Sequence, residues 1–245
     1  MTPDRPVLGI TLMLGFCLAA PLADALAKLL GDQMEVAQLV AIRMALQVIL
    51  LAPIVFWAAI PLMMSARNLR LSAIRAVLHI AGIGRMFLSL RYLPLADAVA
   101  IAFVMPFIML LLGHIILGEE VGHRRIIACC VGFLGTCMVM QPSFAEVGWP
   151  ALLPLFVAVN FSFFMLVTRQ IAKETDPIGL QAVSGVMAVG LMLPILLLFS
   201  GSDVAVLTVI RPDTWEWTLL AGIGVLGTLA HLLMAWSLRY APSAT

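Results

Sequence analysis

Charged residues are scarce in this chain. Only 11% of its 245 residues are Asp, Glu, Lys or Arg, whereas 63% are hydrophobic. A soluble domain carries about 25% charged residues, so the composition excludes a soluble enzyme and also a disordered chain. The formal net charge is +1, and no basic tail or stripe offers a surface to nucleic acid. We therefore expect no nucleic-acid partner.

Motifs for metal, redox and hydrolytic chemistry are also missing. The four cysteines, Cys17, Cys129, Cys130 and Cys137, lie in apolar runs and form neither a CxxC pair nor a Cys/His group with zinc spacing. We interpret them as small apolar residues. The sequence contains no Walker A loop, GxSxG elbow, HExxH pair or intramembrane aspartate dyad. It thus predicts no metal, no cofactor, no direct use of ATP and no enzymatic activity.

Long apolar runs make up most of the chain. A helix that crosses a bilayer needs about 20 apolar residues, and continuous runs without alternation exclude an outer-membrane barrel. The first run passes through Asp24 to Leu29 without a cleavage site, which favours a retained helix over a signal peptide. The pattern predicts an all-α polytopic membrane protein with about eight transmembrane helices, near residues 7–29, 36–60, 73–92, 95–117, 124–141, 150–171, 177–199 and 215–237.

Lysine and arginine are distributed unevenly between the two ends of these helices. With the N-terminus in the cytoplasm, nine of them fall on cytoplasmic segments and three on the opposite side. Cytoplasmic loops are enriched in Lys and Arg, so this bias predicts a cytoplasmic N-terminus. We expect a multi-pass protein of a bacterial-type inner (plasma) membrane.

An internal repeat divides the sequence. Residues 89–96 read SLRYLPLA and residues 237–244 read SLRYAPSA, identical at six of eight positions at an offset of 148. Ala27-Lys28 recurs as Ala172-Lys173 at an offset of 145. Five helices separate the copies, so the second copy runs the other way up, as in many transporters. We expect a first five-helix repeat at 7–143 and an inverted one at 148–245. The second repeat would lack its last two helices, in a fragment or in a naturally shortened protein.

The stretch from Leu88 to Pro142 resembles the EamA type of the drug/metabolite transporter (DMT) superfamily. The resemblance is carried by Leu90-Arg91-Tyr92, Ala96, Ala98, Pro106, Leu117-Gly118-Glu119-Glu120, and Gly132 with Gly135 before Pro142. It implies ten helices in two inverted five-helix repeats around a cavity that opens alternately to each side. It also implies transport of a small organic metabolite, such as an amino acid, a nucleoside, riboflavin, adenosylmethionine or an amine-like drug.

Ionisable and polar residues within the apolar runs are the candidate cavity residues, because each costs several kcal/mol in hydrocarbon unless it is paired or wetted. Arg85 is predicted to be the deepest cation. Arg43 is expected to clamp a helix interface. The residues expected around the solute are Arg85, His79, His231, Asn160, Asp24, Lys28 and Trp236.

Several of these residues also have a structural interpretation. Asp24 and Lys28 lie at i and i+4, so they can form an ion pair. At the offset of 148, His231 aligns with Ile83, within a turn of His79 and Arg85. His231 is able to carry a proton near neutral pH, but the interpretation as a hydrogen-bonded packing histidine is slightly favoured. Trp236 would otherwise be an interfacial anchor.

Two functions remain open from the sequence alone. In the first, the protein is a carrier whose solute binds near the midplane between the repeats. In the second, it is a truncated, non-transporting membrane protein or an interaction partner of another membrane chain. Dimerisation would then cover the groove left by the missing helices. The partners expected in either case are the lipid bilayer and, for the carrier, a small-molecule solute.

Overall fold

The computed structural model describes residues 5–31, 33–118, 122–140, 148–199 and 207–240. This part of the chain folds into α-helices and contains no strand. The helices are α1 (Pro6–Leu30), α2 (Val36–Trp57), α3 (Ala66–Tyr92), α4 (Leu95–Ala102), α5 (Met105–Leu117), α6 (His123–Met140), α7 (Leu152–Ala172), α8 (Pro177–Phe199) and α9 (Thr214–Tyr240). One turn of 3-10 helix, Trp149–Ala151, leads into α7.

Seven helical segments of the described chain are long and apolar enough to cross a membrane, with α4 and α5 together forming one of them. The predicted fifth crossing corresponds to α6, whose apolar part, Ile126–Gly135, is shorter. These segments lie where the hydropathy pattern predicts them. The expectation of an all-α polytopic membrane protein is confirmed.

Helix α3 begins seven residues before its predicted start near residue 73. The hydroxyl of Ser65 accepts a hydrogen bond from the Asn68 backbone N–H at 3.2 Å, which satisfies one of the free amides of the first turn. Arg67 and Arg70 therefore lie on the helix and not in a loop, and Arg75 lies well inside the helix and not at its start. This difference matters below, because Arg75 is fully buried.

The fourth crossing is interrupted at Phe103 and Val104, between α4 and α5. Pro106 lies in the first turn of α5, and its ring carries no N–H to donate to residue 102 and collides with that carbonyl. Pro21, Pro53 and Pro194 lie inside continuous helices. Among the described crossings, only this one is broken between two helices.

Helices of the two predicted repeats pack in crossed pairs. The most extensive contacts join α1 to α9, α3 to α7 and α2 to α8. The first helix of each predicted repeat therefore packs against the third helix of the other repeat, and the two second helices pack against each other. A two-fold axis in the membrane plane requires this pattern. We propose residues 7–143 and 148–245 as the two copies.

Two arginines make matching contacts at opposite ends of the helix bundle, and each such set of contacts is called an arginine clamp here. Arg91, at the end of α3, forms an ion pair with Glu35 at 3.5 Å and donates to the Met34 carbonyl at 2.6 Å. Arg239, at the end of α9, pairs with Asp176 at 3.6 Å and donates to the Thr175 carbonyl at 3.3 Å. Each clamp ties a third helix to the N-terminus of the second helix in its own half.

Close helix contacts depend on glycine. A Cβ atom at Gly224 of α9 would lie 2.8 Å from the Leu46 side chain of α2, whereas nothing lies within 4 Å of one at Gly190 of α8.

We predict that Gly224→Ala lowers the free energy of unfolding by about 1–3 kcal/mol through overpacking. Gly190→Ala should leave it unchanged or raise it, because alanine favours a helix. Melting curves of both variants in detergent measure this, and equal stability would contradict the packing described.

Candidate functional site

A cavity of about 550 Å³ lies between helices of the two halves. Helices α1, α3, α7 and α9 form its walls, together with the broken crossing α4–α5, and Arg43 reaches it from α2. Most of the lining is apolar, which is typical of a site for a small organic molecule. The polar and charged side chains among its described lining residues are Cys17, Asp24, Arg43, Arg169, His231 and Ser237.

A buried contact between two side chains of this lining joins Arg43 to His231. Arg43 is 4% exposed and His231 is 5% exposed. Nη2 of Arg43 lies 3.1 Å from Nδ1 of His231, and the same Nδ1 lies 2.8 Å from the carbonyl oxygen of Gly227. Gly227 makes room for this contact, because a Cβ atom there would lie 2.7 Å from Nη2 of Arg43.

Several polar atoms around this contact have no hydrogen-bond partner among the described residues. They are Nη1 of Arg43, Nε2 of His231 and both ring nitrogens of His79. Buried polar atoms are almost always hydrogen-bonded, so each of these atoms lacks a partner that water or a ligand would have to supply. The carboxylate of Asp24 also faces the cavity, where the charge of Arg43 acts on it. Within the same residues, it forms no hydrogen bond or direct ion pair.

A second buried guanidinium, that of Arg75, lies behind the cavity wall. Its Nε donates to Oγ1 of Thr168 at 2.9 Å, and its Nη2 donates to Oε1 of Gln181 at 2.6 Å. Its Nη1 donates to Oγ of Ser184. Gln181 in turn exchanges hydrogen bonds with Gln47, at 2.9 Å and 3.0 Å. Among the described residues, Arg75 donates hydrogen bonds to neutral acceptors alone. Its positive charge is therefore solvated but not neutralised by a carboxylate.

Aromatic rings connect the two guanidinium groups. The Arg75 guanidinium lies 4.5 Å from the centre of the Phe164 ring, a cation–π contact. His79 and Phe161 pack on Phe164 with ring centres 4.9 Å and 5.1 Å away, and the His79 and His231 rings are 4.3 Å apart. On the cavity side, Phe161 stacks on Phe16 at 5.9 Å, with 10° between the ring planes. The cavity therefore has one aromatic wall.

The structure brings only some of the predicted site residues together. Asp24 and His231 line the cavity, as does Arg43, and His79 lies directly behind His231. Arg85 is exposed, so the expectation that it is the deepest cation is wrong. The buried face of α3 carries Arg75, His79, Gly82 and Met86. Because each residue of an α-helix is rotated by about 100° from the one before it, Arg85 does not lie on that face.

Asn160, Lys28 and Trp236 lie outside the described lining. Asn160 accepts from Arg85 at 3.4 Å and donates to the Leu78 carbonyl at 2.7 Å, which joins α7 to α3. Lys28 donates to the carbonyls of Leu90 and Leu93 at 2.7 Å and 2.9 Å. These carbonyls lie at the negative end of α3, so Lys28 pairs there and not with Asp24. Trp236 packs against the cluster of Leu51, Ala182 and Leu232.

The sequence prediction missed Arg75, Gln181 and Gln47. Arg75 was counted with the cytoplasmic segment because it lies only two residues inside the expected start of α3 near residue 73. The serine N-cap at Ser65 was the signal that would have extended the helix. Gln47 and Gln181 were each a single polar residue within an apolar run, which is the usual mark of a buried polar contact between membrane helices.

The fold and cavity define a polytopic helical membrane protein with a solute-sized central site. The model of the EamA-like transporter family matches residues 7–141, more than half of the chain. The chain belongs to this family, which is one of transporters and not of enzymes.

Curated relatives include riboflavin transporters and an S-adenosylmethionine uptake transporter. The riboflavin transporter of Rhizobium johnstonii is 33% identical over 42% of this chain and 34% of its own length. That of Brucella anthropi is 27% identical over 66% and 56%, respectively. The S-adenosylmethionine uptake transporter of Rickettsia prowazekii is 22% identical over 94% and 76%. The matches thus span about a third to just over half of the two riboflavin transporters.

A solved crystal structure has the same fold. It superposes with a TM-score of 0.69 over 96% of this chain and 79% of its own, at 16% sequence identity. At this identity the likeness concerns the fold alone.

Removal of one acceptor from Arg75 tests the buried network. We predict that Gln181→Leu lowers the free energy of unfolding by about 2–3 kcal/mol, because a hydrogen bond to a charged group is lost and Nη2 of Arg75 and Oε1 of Gln47 are left without a partner. Gln170→Leu, at a half-buried site on α7, is the control and should change stability by less than about 0.5 kcal/mol. Chemical or thermal unfolding in detergent compares the two. A Gln181 variant as stable as the control would refute the network.

Proposed function

We propose that this protein is a secondary transporter that moves a small organic metabolite across a bacterial-type inner membrane by alternating access. The observation that carries the proposal is the central cavity, where Asp24, Arg43 and His231 present polar atoms without partners in the described structure. Unpaired ionisable groups are costly within a membrane. They are retained where a solute or water satisfies them.

The packing of the two halves supports alternating access. The crossed pairs α1–α9, α3–α7 and α2–α8 are the contacts expected if the cavity lies between repeats of opposite orientation. Rocking of one half against the other would open the cavity to each side in turn. A solute drives this change only if it binds the two states with different affinity. The broken crossing lines the cavity with Phe103 and Met105, and it offers a place for helix ends to move.

We place the N-terminus in the cytoplasm. Arg75 no longer counts as a loop residue because it is buried, so the bias is eight residues (nine less Arg75) against three. The same side of the membrane then holds the end of α9, since the Arg5 amide donates to the Tyr240 carbonyl at 3.0 Å. Arg91 and its clamp face the opposite side.

The cavity suits the solutes of the named relatives in size and in character. Riboflavin and S-adenosylmethionine both carry planar rings, and the stacked pair of Phe16 and Phe161 provides a planar aromatic surface. Amino acids, nucleosides and amine-like drugs share the required size. The proposal at this level is therefore a small organic metabolite.

Filling the cavity tests the proposal. Ala20 lines the cavity on α1, and Leu18 on the same helix is 72% exposed. We predict that Ala20→Phe lowers solute transport by about tenfold or more, because the phenyl ring occupies the space where the solute binds. Leu18→Phe should retain the rate. The measurement is uptake of labelled riboflavin, S-adenosylmethionine and L-tryptophan into proteoliposomes. Movement of none of the three, or equal rates for both variants, would contradict the proposed function.

A further inference from the structure

The interior of the described helices carries more positive than negative charge. The guanidinium groups of Arg43 and Arg75 are both buried. The half-buried carboxylate of Asp24 acts on Arg43, whereas Arg75 donates hydrogen bonds to neutral acceptors alone within the same residues. One positive charge therefore has no negative counterpart among these groups. Uncompensated charge within a membrane is costly, so a bound anion would stabilise this part of the protein.

Hydrogen-bond donors without a partner lie between the two arginines. His79 is one turn after Arg75 on α3. Its ring lies 4.3 Å from the ring of His231, which is in hydrogen-bond contact with Arg43. Nη1 of Arg43 and both ring nitrogens of His79 have no partner within the described chain. One nitrogen of a neutral imidazole always carries a proton, so His79 offers a free N–H in either tautomer.

A hydroxyl group on α9 adds a third donor. Thr228 follows Gly227, at which a Cβ atom would lie 2.7 Å from Nη2 of Arg43. It also lies three residues before His231, and residues three apart are neighbours on a helix surface. Oγ1 of Thr228 is buried and has no partner among the described residues. Free donors from α2, α3 and α9 thus surround the same contact, whichever tautomer His231 adopts.

These surroundings favour a small anion over water and over an organic anion. Water would satisfy the donors but would leave the excess positive charge uncompensated. The ring of His79 is packed between those of Phe164 and His231, at 4.9 Å and 4.3 Å, which leaves little room for a carboxylate or a phosphate group. A halide ion is a single atom that accepts hydrogen bonds from any direction, and charge strengthens each of these bonds.

We propose that a chloride ion binds between α2, α3 and α9. Nη1 of Arg43, a ring N–H of His79 and the hydroxyl of Thr228 donate to it. The ion balances the second guanidinium charge, and it joins the first predicted repeat, which contains α2 and α3, to the second. Arg43 also lines the central cavity, which gives the ion a route to the site. The chloride is a resident part of the protein and not its solute, so this inference is independent of the proposed function.

Exchange of the anion tests the proposal on the unaltered chain. The full chain in detergent would be melted at constant ionic strength while sodium chloride replaces sodium gluconate, whose anion is too large for the site. We expect the melting temperature to rise saturably, by about 5 °C or more at about 100 times the Kd, because chloride binds the folded state. Bromide should act in the same way. Equal melting temperatures in chloride and gluconate would leave water as the occupant and overturn the proposal.

Matched variants distinguish this site from a general effect of salt. His79→Phe keeps an aromatic ring between Phe164 and His231 but removes the N–H, and it should weaken chloride binding about tenfold. Thr228→Val, which retains the shape of the side chain, should also weaken it. His123→Phe, at an exposed site on α6, is the control and should retain the wild-type affinity. Equal chloride affinities in all three variants would overturn the proposal.

Bromide locates the site directly, because its anomalous X-ray scattering identifies it in a crystal. Crystals of the full chain grown in sodium bromide should show an anomalous peak in contact with Arg43 and His79. The peak should be lost in the His79→Phe variant. Bromide peaks at the protein surface alone would contradict the buried site.

Discussion

The structure depends on how it accommodates two guanidinium groups inside a membrane. Arg75 finds neutral acceptors on two other helices, Thr168 on α7 and Ser184 and Gln181 on α8, and thereby ties α3 to both. Among the described residues, the guanidinium of Arg43 makes one hydrogen bond, to His231, and its Nη1 has no partner. A buried cation with a full set of acceptors is structural, whereas one with a free donor at a cavity is available to a ligand. The division between scaffold and site follows from this difference.

Glycines make these polar contacts possible. Gly227 faces the guanidinium of Arg43, Gly185 faces the amide of Gln47, and Gly82 faces the amide of Asn160, each closely enough that a Cβ atom would lie within 2.8 Å of a side-chain nitrogen. In all three cases a polar side chain of one half meets a glycine of the other. Small residues allow close approach of membrane helices, and here they also admit the polar groups that join the two halves.

The sequence predicted the helices because hydropathy depends on neighbouring residues along the chain, and the repeat brought His231 close to His79 by alignment alone. The sequence was a poorer guide to which individual residues of a helix point into the protein. Arg85 and Arg75 both lie on α3. Only the observed start of the helix and its buried face show that Arg75 is buried and Arg85 is exposed. Lys28 takes its partners from residues 62 and 65 positions away. Such tertiary contacts compete with the local pair to Asp24 that spacing suggests.

The most direct test of the account is the accessibility of Cys17, a native cysteine that lines the cavity. With Cys129, Cys130 and Cys137 replaced by serine, a small membrane-impermeant thiol reagent would be added to right-side-out and inside-out vesicles. The account predicts that Cys17 reacts from both sides, because the cavity opens to each in turn, and that a solute bound in the cavity slows the reaction. Reaction from one side only, or from neither, would contradict it.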